Sequence, residues 1–285
     1  MADPVGFVGL GNMGHALASN LVASGFDVVT HDIAGADRNP DGATYAVDPA
    51  TIAEMAAVVV LSLPDGRVSE TVARSMAQAP SRRLTHVVDT STVGLDAARA
   101  ISALLSDAGI GHVDAPVSGG PAGARARTLT VMYSGAPAAC AAVEPVLRGL
   151  SDRRFHVGDE AGMGQAVKLA NNFLSATALA ATSEAVAFGT SAGVDMATML
   201  DVLNASSGRS AATADKFVDH VLTGTFASGF ANTLMAKDVT LYLEATLSEG
   251  APATIGQATA DIWQQFADAQ PDVDFTRIYE FAKQR

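Results

Sequence analysis

A glycine-rich turn near the N-terminus constrains the fold of this chain more than any other feature. A short apolar run, Val5–Leu10, leads into the glycine-rich residues 9–14, Gly-Leu-Gly-Asn-Met-Gly, and an apolar segment with helical spacing follows. Strand, glycine turn and helix in this order give the GxGxxG spacing its meaning as a dinucleotide-binding turn. The N-terminus of such a helix favours phosphate because its first backbone N–H groups lack partners within the helix. The sequence therefore predicts an N-terminal Rossmann domain.

The three glycines of this turn have separate roles. Gly9 permits the tight turn, Gly11 lets the backbone approach a pyrophosphate, and Gly14 lets the helix pack closely on the strand. We expect the whole turn to bind the cofactor, that is, Gly9, Leu10, Gly11, Asn12, Met13 and Gly14.

Asp32 indicates which dinucleotide binds. It ends the next predicted strand, about twenty residues after the glycines, where a carboxylate can accept hydrogen bonds from the adenosine ribose hydroxyls. No arginine follows it immediately, and its charge would repel a 2′-phosphate. The sequence therefore favours NAD over NADP.

Strand and helix patterns continue to alternate through the first half of the chain. The apolar segments 58–63 and 86–92 are typical of parallel strands that are buried on both faces, and helical segments separate them. Ligands bind beyond the carboxyl ends of strands in open parallel sheets. We therefore expect Leu63, Pro64 and Thr92 to line a dinucleotide cleft.

A second glycine-rich segment follows the strand that stops at Pro116. Ser118, Gly119 and Gly120 could turn their backbone N–H groups inward as a binding loop for a carboxylate. The alternative is a glycine-rich crossover without a ligand, and the residues alone leave both interpretations open.

The second half of the chain is predicted to be entirely helical. Strand patterns end near Met163, and helices fit residues 164–192, 195–204, 212–221, 230–248 and 251–270. The predicted fold class is therefore α/β, with a doubly wound, mostly parallel sheet in residues 1–161. A long interdomain helix joins it to an all-helical substrate and dimerisation domain in residues 162–285.

Lys168 is the most unusual residue of the long helix, because apolar residues dominate that segment. It lies one turn before Asn171 and Asn172, so ammonium and amide groups share one side of the helix. One interpretation is a lysine that extends to solvent and asparagines that cap a break in the helix. The other is a proton-donating lysine in a cleft between the domains, with an amide beside it that orients the substrate.

Composition excludes several classes of function. The net charge of −12 and the lack of clustered basic residues argue against a nucleic-acid partner. Cys140 is the only cysteine, which excludes an intrachain disulfide, and no histidine pair has metal-ligand spacing. The sequence shows no targeting segment and no apolar run of membrane-spanning length, so we expect a cytoplasmic protein that contacts no membrane.

Four motifs in this order resemble the β-hydroxyacid dehydrogenase family, which includes 3-hydroxyisobutyrate dehydrogenase. The motifs are residues 6–14, residues 114–120 with the sequence Asp-Ala-Pro-Val-Ser-Gly-Gly, residues 162–172, and the pair Lys237-Asp238. The resemblance covers nearly the whole chain and is closest to the 3-hydroxyisobutyrate branch. It implies a homodimer or homotetramer that transfers a hydride between NAD and a small 3-hydroxy acid.

The resemblance also implies roles for individual residues. Lys168 would be the catalytic acid and base, and Asn172 would orient the substrate. Ser118, Gly119 and Gly120 would hold the substrate carboxylate, and Thr92 and Lys237 would border the nicotinamide. Free lysine has a pKa of about 10.4, so burial would have to lower that value for catalysis near neutrality.

Two departures from the family pattern leave the substrate open. Arg127 stands where related sequences commonly carry glycine, and Pro121 stiffens the expected substrate loop. A guanidinium near this loop could recruit a second anionic group, although a surface position is the simpler interpretation. Tartronate semialdehyde, a sulfonated hydroxy acid and an imine are alternative substrates. A catalytically silent NAD-binding module is the alternative from a different class.

Overall fold

The computed structural model describes residues 3–284, which form two compact units. One unit ends at Lys168 and the other begins at Leu169. The first holds a mostly parallel sheet with helices on both faces, and the second is helical. This is the predicted fold class, a Rossmann domain followed by a helical domain.

The sheet of the N-terminal unit has the strand order of a dinucleotide-binding fold. In chain order the strands are β1 (Val5–Val8), β2 (Val28–His31), β3 (Thr44–Tyr45), β4 (Val58–Leu61), β5 (His86–Asp89), β6 (Gly111–Asp114), β7 (Val117–Ser118), β8 (Thr130–Ser134) and β9 (Arg153–Gly158). Their order in the sheet is β3-β2-β1-β4-β5-β6-β8-β7, and β9 pairs with β8. The first six strands of this order pair in parallel, so their carboxyl ends share one edge. The chain order reverses between β1 and β4, which is where such sheets bind ligands.

Six helices cover the two faces of the sheet. They are α1 (Asn12–Ala23), α2 (Pro49–Met55), α3 (Gly66–Ala77), α4 (Leu95–Asp107), α5 (Gly120–Arg125) and α6 (Pro137–Leu150). One apolar core joins the sheet to α1, α5 and α6, and a second joins its other face to α2, α3 and α4. The central strands are buried on both faces, which explains their continuous apolar sequences.

The last strands of the sheet run differently and extend its carboxyl edge. Strand β8 is antiparallel to β6, with Asp114 opposite Ser134, and antiparallel to β7, with Ser118 opposite Thr130. Strand β7 therefore continues past the carboxyl end of β6. This register places the second glycine-rich segment at the same edge of the sheet as the first.

The C-terminal unit is built from helices around one apolar core. Its elements are most of α7 (Met163–Ser191), α8 (Met196–Asn204), a π-helical segment (Ala212–Val221), α9 (Asn232–Ser248), α10 (Thr254–Ala269), a 3-10 turn (Phe275–Arg277) and α11 (Ile278–Ala282). The largest buried side chains of this core are Trp263, Phe217 and Phe266. Helix α7 begins at Met163, close to the predicted domain boundary after residue 161, whereas the two compact units divide within this helix, after Lys168. The boundary after residue 161 stays a prediction. None of the described helices is long and apolar enough to cross a bilayer.

The predicted elements agree with the structure to within a few residues, but some short elements were not predicted. These are β3, β7, α5 and the C-terminal elements after residue 270. Two-residue strands are too short to show alternation, and α5 contains two glycines and a proline, which disfavour helix in general. The interpretation of Asn171 and Asn172 as caps of a helix break is wrong, because α7 continues unbroken to Ser191.

Candidate functional site

The first glycine-rich turn leaves open space where a phosphate would lie. Gly9 has a φ of 95°, and a Cβ at this position would overlap the carbonyl oxygen of Ser62. A Cβ at Gly14 would overlap the carbonyl oxygen of Gly9, whereas a Cβ at Gly11 would meet nothing within 4 Å. Only Gly11 therefore faces free volume, and no side chain caps the helix α1 that starts after it. An open helix N-terminus beside free space fits a dinucleotide pyrophosphate.

Asp32 is bound to the glycine-rich turn. Its carboxylate accepts the N–H of Leu10 at 2.6 Å through Oδ2 and the N–H of Ala34 at 2.8 Å through Oδ1. The side chain is buried, and it directly follows the carboxyl end of β2. These two bonds fix the carboxylate beside the turn and leave further lone pairs for hydroxyl donors.

The loops after β4 and β5 are joined by Ser91. The N–H of Leu63 donates to Ser91 Oγ at 2.7 Å, and the N–H of Ser91 donates to Asp89 Oδ1 at 2.9 Å. Pro64 and Thr92 are the next residues of these two loops, so the structure brings Leu63, Pro64 and Thr92 to the carboxyl edge of the sheet.

The second glycine-rich segment has the backbone of a tight turn. Gly119 has a φ of 131° and Gly120 a φ of 65°, in the left-handed region that favours glycine. Ser118 ends β7 immediately before them, and helix α5 begins at Gly120 without a side-chain cap. Non-glycine residues could not adopt this backbone at two consecutive positions without strain. The turn lies at the carboxyl edge of the sheet, as the first glycine-rich turn does.

Lys168 is buried, since 8% of its surface is exposed. The interpretation of this residue as a lysine that extends to solvent is therefore wrong. Side chains of the sheet hold the first turn of its helix: Asp114 Oδ1 accepts the N–H of Gly162 at 2.9 Å, and Asp114 Oδ2 accepts that of Gln165 at 3.1 Å. Ser134 donates to Asp114 at 2.7 Å and accepts the N–H of Gly164 at 2.9 Å. Lys168 thus stands one turn beyond a fixed helix end.

The remaining predicted site residues lie in the C-terminal unit and form a group of their own. Asn172 Nδ2 donates to Asp238 Oδ2 at 2.6 Å, and Lys237 Nζ lies 3.3 Å from Asp238 Oδ1. Asp238 is 3% exposed, so its carboxylate is buried together with these two contacts. Because one amide N–H of Asn172 is bound to Asp238, the orientation of the amide is fixed.

Comparison with known proteins assigns this architecture to a family. Residues 4–158 match the family model described as the NAD-binding domain of 6-phosphogluconate dehydrogenase, which is more than half of the chain. Residues 162–282 match the model described as NAD-binding of NADP-dependent 3-hydroxyisobutyrate dehydrogenase. The chain belongs to the β-hydroxyacid dehydrogenase family. As a member of that family it is an NAD-linked oxidoreductase of small hydroxy acids.

Three members of the family illustrate the similarity. The chain is 34% identical over 265 residues to 2-(hydroxymethyl)glutarate dehydrogenase of Eubacterium barkeri, covering 91% of this chain and 88% of the relative. It is 32% identical to a probable 3-hydroxyisobutyrate dehydrogenase of Mycobacterium bovis, covering 99% and 98%. The solved structure of Mycobacterium tuberculosis 3-hydroxyisobutyrate dehydrogenase with L-serine has a TM-score of 0.91 at 31% identity, covering 99% of both chains.

The guanidinium of Arg127 is engaged by groups of the protein itself. Its guanidinium donates to Ser24 Oγ at 2.6 Å, to the carbonyl of Asn20 at 3.3 Å and to the carbonyl of Arg148 at 3.1 Å. These partners lie at the ends of α1 and α6, so the side chain ties two helices together. Its φ of 58° lies in the left-handed region that favours glycine.

Two buried groups near the carboxyl edge have perturbed acidity. Burial raises the pKa of Asp89 to about 6, although Ser91 counteracts the shift. Burial also raises the pKa of Asp114, and the N–H of Gly162 and the hydroxyl of Ser134 partly offset this effect. Both acids therefore need their hydrogen-bond donors to remain ionised inside the protein.

Sequence reasoning did not identify four residues that hold the candidate site together. They are Ser91, Asp114, Gln165 and Asp238, and each is buried. Asp114, Gln165 and Asp238 lie within motifs that carry the family resemblance, and Ser91 lies directly beside Thr92. The sequence could have indicated these residues, because each is a polar side chain without an assigned role in such a motif or beside a predicted site residue.

Proposed function

We propose that the protein interconverts a small 3-hydroxy acid, of which 3-hydroxyisobutyrate is the type, and its semialdehyde, with NAD as the preferred cofactor. The observation that carries this proposal is the position of Lys168. It is a buried lysine on a helix whose first turn is hydrogen-bonded to the carboxyl edge of a dinucleotide-binding sheet. A buried amine at that edge is a suitable proton acceptor and donor for an alcohol.

In this proposal the N-terminal unit holds the cofactor through both its backbone and its side chains. The amides of residues 9–14 would bind the pyrophosphate, and Asp32 would accept from the ribose hydroxyls and repel a 2′-phosphate. Leu63, Pro64, Thr92 and Lys237 would line the rest of the cofactor. When bound, NAD supplies the hydride acceptor of the reaction.

The residues of the protein would supply proton transfer and the orientation of the substrate. In oxidation Lys168 Nζ takes the proton of the substrate hydroxyl, and in reduction it returns that proton to the developing alkoxide. Asn172 donates its second amide N–H to the substrate oxygen. Ser118 and the amides of Gly119 and Gly120 hold the carboxylate, which fixes the position of the reacting carbon.

The relatives support a substrate with a primary alcohol. 3-Hydroxyisobutyrate, 2-(hydroxymethyl)glutarate and L-serine, which appear in the names of three relatives, each carry a hydroxymethyl group on the carbon that bears a carboxylate. We infer that this shared fragment is what the present site recognises. A second anionic group would have to be bound without Arg127, because its guanidinium is engaged elsewhere.

Initial rates with NAD and, separately, NADP test the proposal. The substrate panel is 3-hydroxyisobutyrate, 2-(hydroxymethyl)glutarate, L-serine, glycerate and a hydroxysulfonate, with Lys168→Ala as the control. We expect NAD-linked oxidation of a hydroxymethyl acid by the wild type and turnover about 10³-fold slower by the variant. Turnover restricted to the sulfonate, or equal rates with NADP, would contradict the substrate or the cofactor assignment respectively. Tight NAD binding without turnover of any acid would indicate a silent module.

We also propose that the protein is a homodimer or homotetramer. Leu174, Ala181 and Phe188 are exposed on α7 at seven-residue intervals and so form one apolar stripe, in which Leu174 is 65% and Phe188 76% exposed. Large exposed apolar side chains in a row mark association surfaces. Sedimentation of the wild type and of Phe188→Glu tests this, with a smaller assembly expected for the variant. The assembly and a cytoplasmic location stay predictions.

A further inference from the structure

The fully buried side chain of Gln165 connects the helix of Lys168 to the loop that follows β5. Gln165 Nε2 donates to the carbonyl of Ser91 at 3.0 Å. Its Oε1 accepts the N–H of Val93 at 3.0 Å and that of Gly94 at 3.3 Å. Every polar atom of the amide group is therefore bonded to the backbone of one loop.

These bonds lie on both sides of Thr92. Ser91 and Val93 are its two neighbours in the chain, so the amide of Gln165 spans the Thr92 backbone. The donor must face the Ser91 carbonyl and the acceptor must face the two N–H groups, which permits only one orientation of the amide. The bridge therefore fixes the Thr92 backbone on both sides.

The other end of the bridge is the helix that carries Lys168. Gln165 and Lys168 are three residues apart in α7, a spacing that places both on neighbouring positions of one helix face. The helix cannot shift along the sheet, because Asp114 and Ser134 bind its first turn. The length of the Gln165 side chain therefore sets the separation between Thr92 and the Lys168 helix.

The bridge extends to the neighbouring loop through Ser91. The hydroxyl of Ser91 accepts the N–H of Leu63, and its own N–H is bound to buried Asp89. Two loops expected to line the cofactor and the helix of the expected acid and base are thus joined within one buried network.

We propose that Gln165 is a positioning residue that sets the distance between Lys168 and the cofactor for hydride transfer. This inference rests on the proposed function, in which Thr92 borders the cofactor and Lys168 moves the proton. The amide of Gln165 touches neither substrate nor cofactor, and acts through the two backbones that it joins. A displacement of about 1 Å in such a geometry lowers a rate by about 10²-fold.

Two substitutions separate positioning from stability. Gln165→Met keeps the length of the side chain but removes its hydrogen bonds. We expect kcat to fall about 30-fold on the best acid of the panel, with the Kd for NAD within about threefold of wild type. The primary deuterium isotope effect on kcat should rise, because hydride transfer becomes slower than product release. Gln257→Met, on an exposed face of α10, is the matched control.

Gln165→Glu gives a readout that a merely structural role would not change. A protonated glutamic acid can donate to the Ser91 carbonyl and accept from Val93, whereas the ionised form cannot donate. For the reduction reaction, we therefore consider the ratio of the variant's kcat to the wild-type kcat at the same pH. This ratio should rise at least fivefold as pH falls from 8 to 5.

The outcomes distinguish this inference from the proposed function. An active wild type together with an unchanged kcat in Gln165→Met overturns the positioning role alone, as does a loss of NAD binding in that variant. If Gln165→Met does not fold, the Gln165→Glu variant decides. The positioning role is then overturned if the kcat of Gln165→Glu relative to wild type does not change with pH. A wild type that is inactive on every acid overturns the proposed function, and this inference with it.

Discussion

Helices α1 and α7 both begin at the carboxyl edge of the sheet, and their first turns differ. Helix α1 starts after Gly11 with no side-chain cap and with open space in front of the glycine. In α7, Asp114 and Ser134 bind three N–H groups of the first turn. Both helices present partial positive charge at the same edge, but only α1 leaves it available.

The difference separates binding from positioning. An N-terminus without protein partners can bind an anionic ligand, because its N–H groups still need acceptors. An N-terminus whose groups are bound to buried side chains has no such capacity, but its helix is held in a fixed place. In this protein the open end belongs to the predicted cofactor turn, and the closed end belongs to the helix that carries Lys168.

The largest expected effect is the loss of turnover when Lys168 is replaced, because this residue lies on the helix with the closed N-terminus. Lys168→Ala should lower kcat by about 10³-fold, because it removes the proposed proton acceptor and donor. The affinity for NAD, measured by fluorescence titration, should stay within a factor of about three. A folded variant that no longer binds NAD would show that Lys168 belongs to the cofactor site.

Opening the closed end should destabilise the protein. Asp114→Ala leaves two backbone N–H groups and the Ser134 hydroxyl without their buried acceptor, and we expect a loss of about 4 kcal/mol in the free energy of unfolding. Urea denaturation measures this loss. Asp195→Ala is the control, since Asp195 caps α8 at the surface and its loss should lower the free energy of unfolding much less. Equal losses in the two variants would contradict the special role of the α7 cap.

His112 sharpens the comparison, because it lies on the same strand face as Asp114 but neither ring nitrogen has a hydrogen-bond partner within the described residues. Burial lowers its pKa from 6.5 to about 4. The unfolded chain therefore takes up a proton near pH 6.5, whereas the folded protein does so only near pH 4. The contribution of neutral His112 to the free energy of unfolding is therefore fully present above pH 6.5 and is lost as pH falls to 4.

The loss should amount to about 3 kcal/mol across this window. The burial of Asp89 acts in the opposite direction, since a raised pKa favours the folded state as pH falls through about 6. His112→Leu isolates the histidine: its stability relative to wild type should increase between pH 7 and pH 4, as measured by thermal unfolding. A difference that does not vary with pH would contradict the prediction.

The smallest effect concerns the open end. Gly11→Ala should leave stability unchanged, because a Cβ there meets no protein atom and the φ of −63° suits any residue. It should weaken NAD binding about tenfold, about 1.4 kcal/mol, if the free space accommodates the pyrophosphate. Gly14→Ala is the contrasting variant, since its Cβ would overlap the Gly9 carbonyl and should lower stability. Unchanged NAD affinity in Gly11→Ala would place the phosphates elsewhere.

The sequence predicted the parts of the structure that depend on local patterns. Continuous apolar strands, the glycine turn around Gly11 and the long helix of α7 follow from composition and spacing over short windows. The two-residue strands β3 and β7 and the short helix α5 carry no such pattern. The positions of the two strands are set by pairing with β2 and β8.

The supports of the candidate site could not be predicted for the same reason. Asp114 binds residues about fifty positions later, and Gln165 binds a loop about seventy positions earlier. Nothing local to either residue indicates these partners. The role of Arg127 could not be predicted either, because its partners at Ser24 and Arg148, at the ends of α1 and α6, come close to it only in the folded unit.

Arg127 also has an evolutionary consequence. A non-glycine residue at a φ of 58° carries backbone strain of about 1 kcal/mol, which its three hydrogen bonds to the ends of α1 and α6 offset. The benefit of arginine therefore depends on the residue at position 24. Exchange for glycine should be more harmful while Ser24 is present than once it is absent, when only the bonds to the Asn20 and Arg148 carbonyls remain, so the two positions form an epistatic pair.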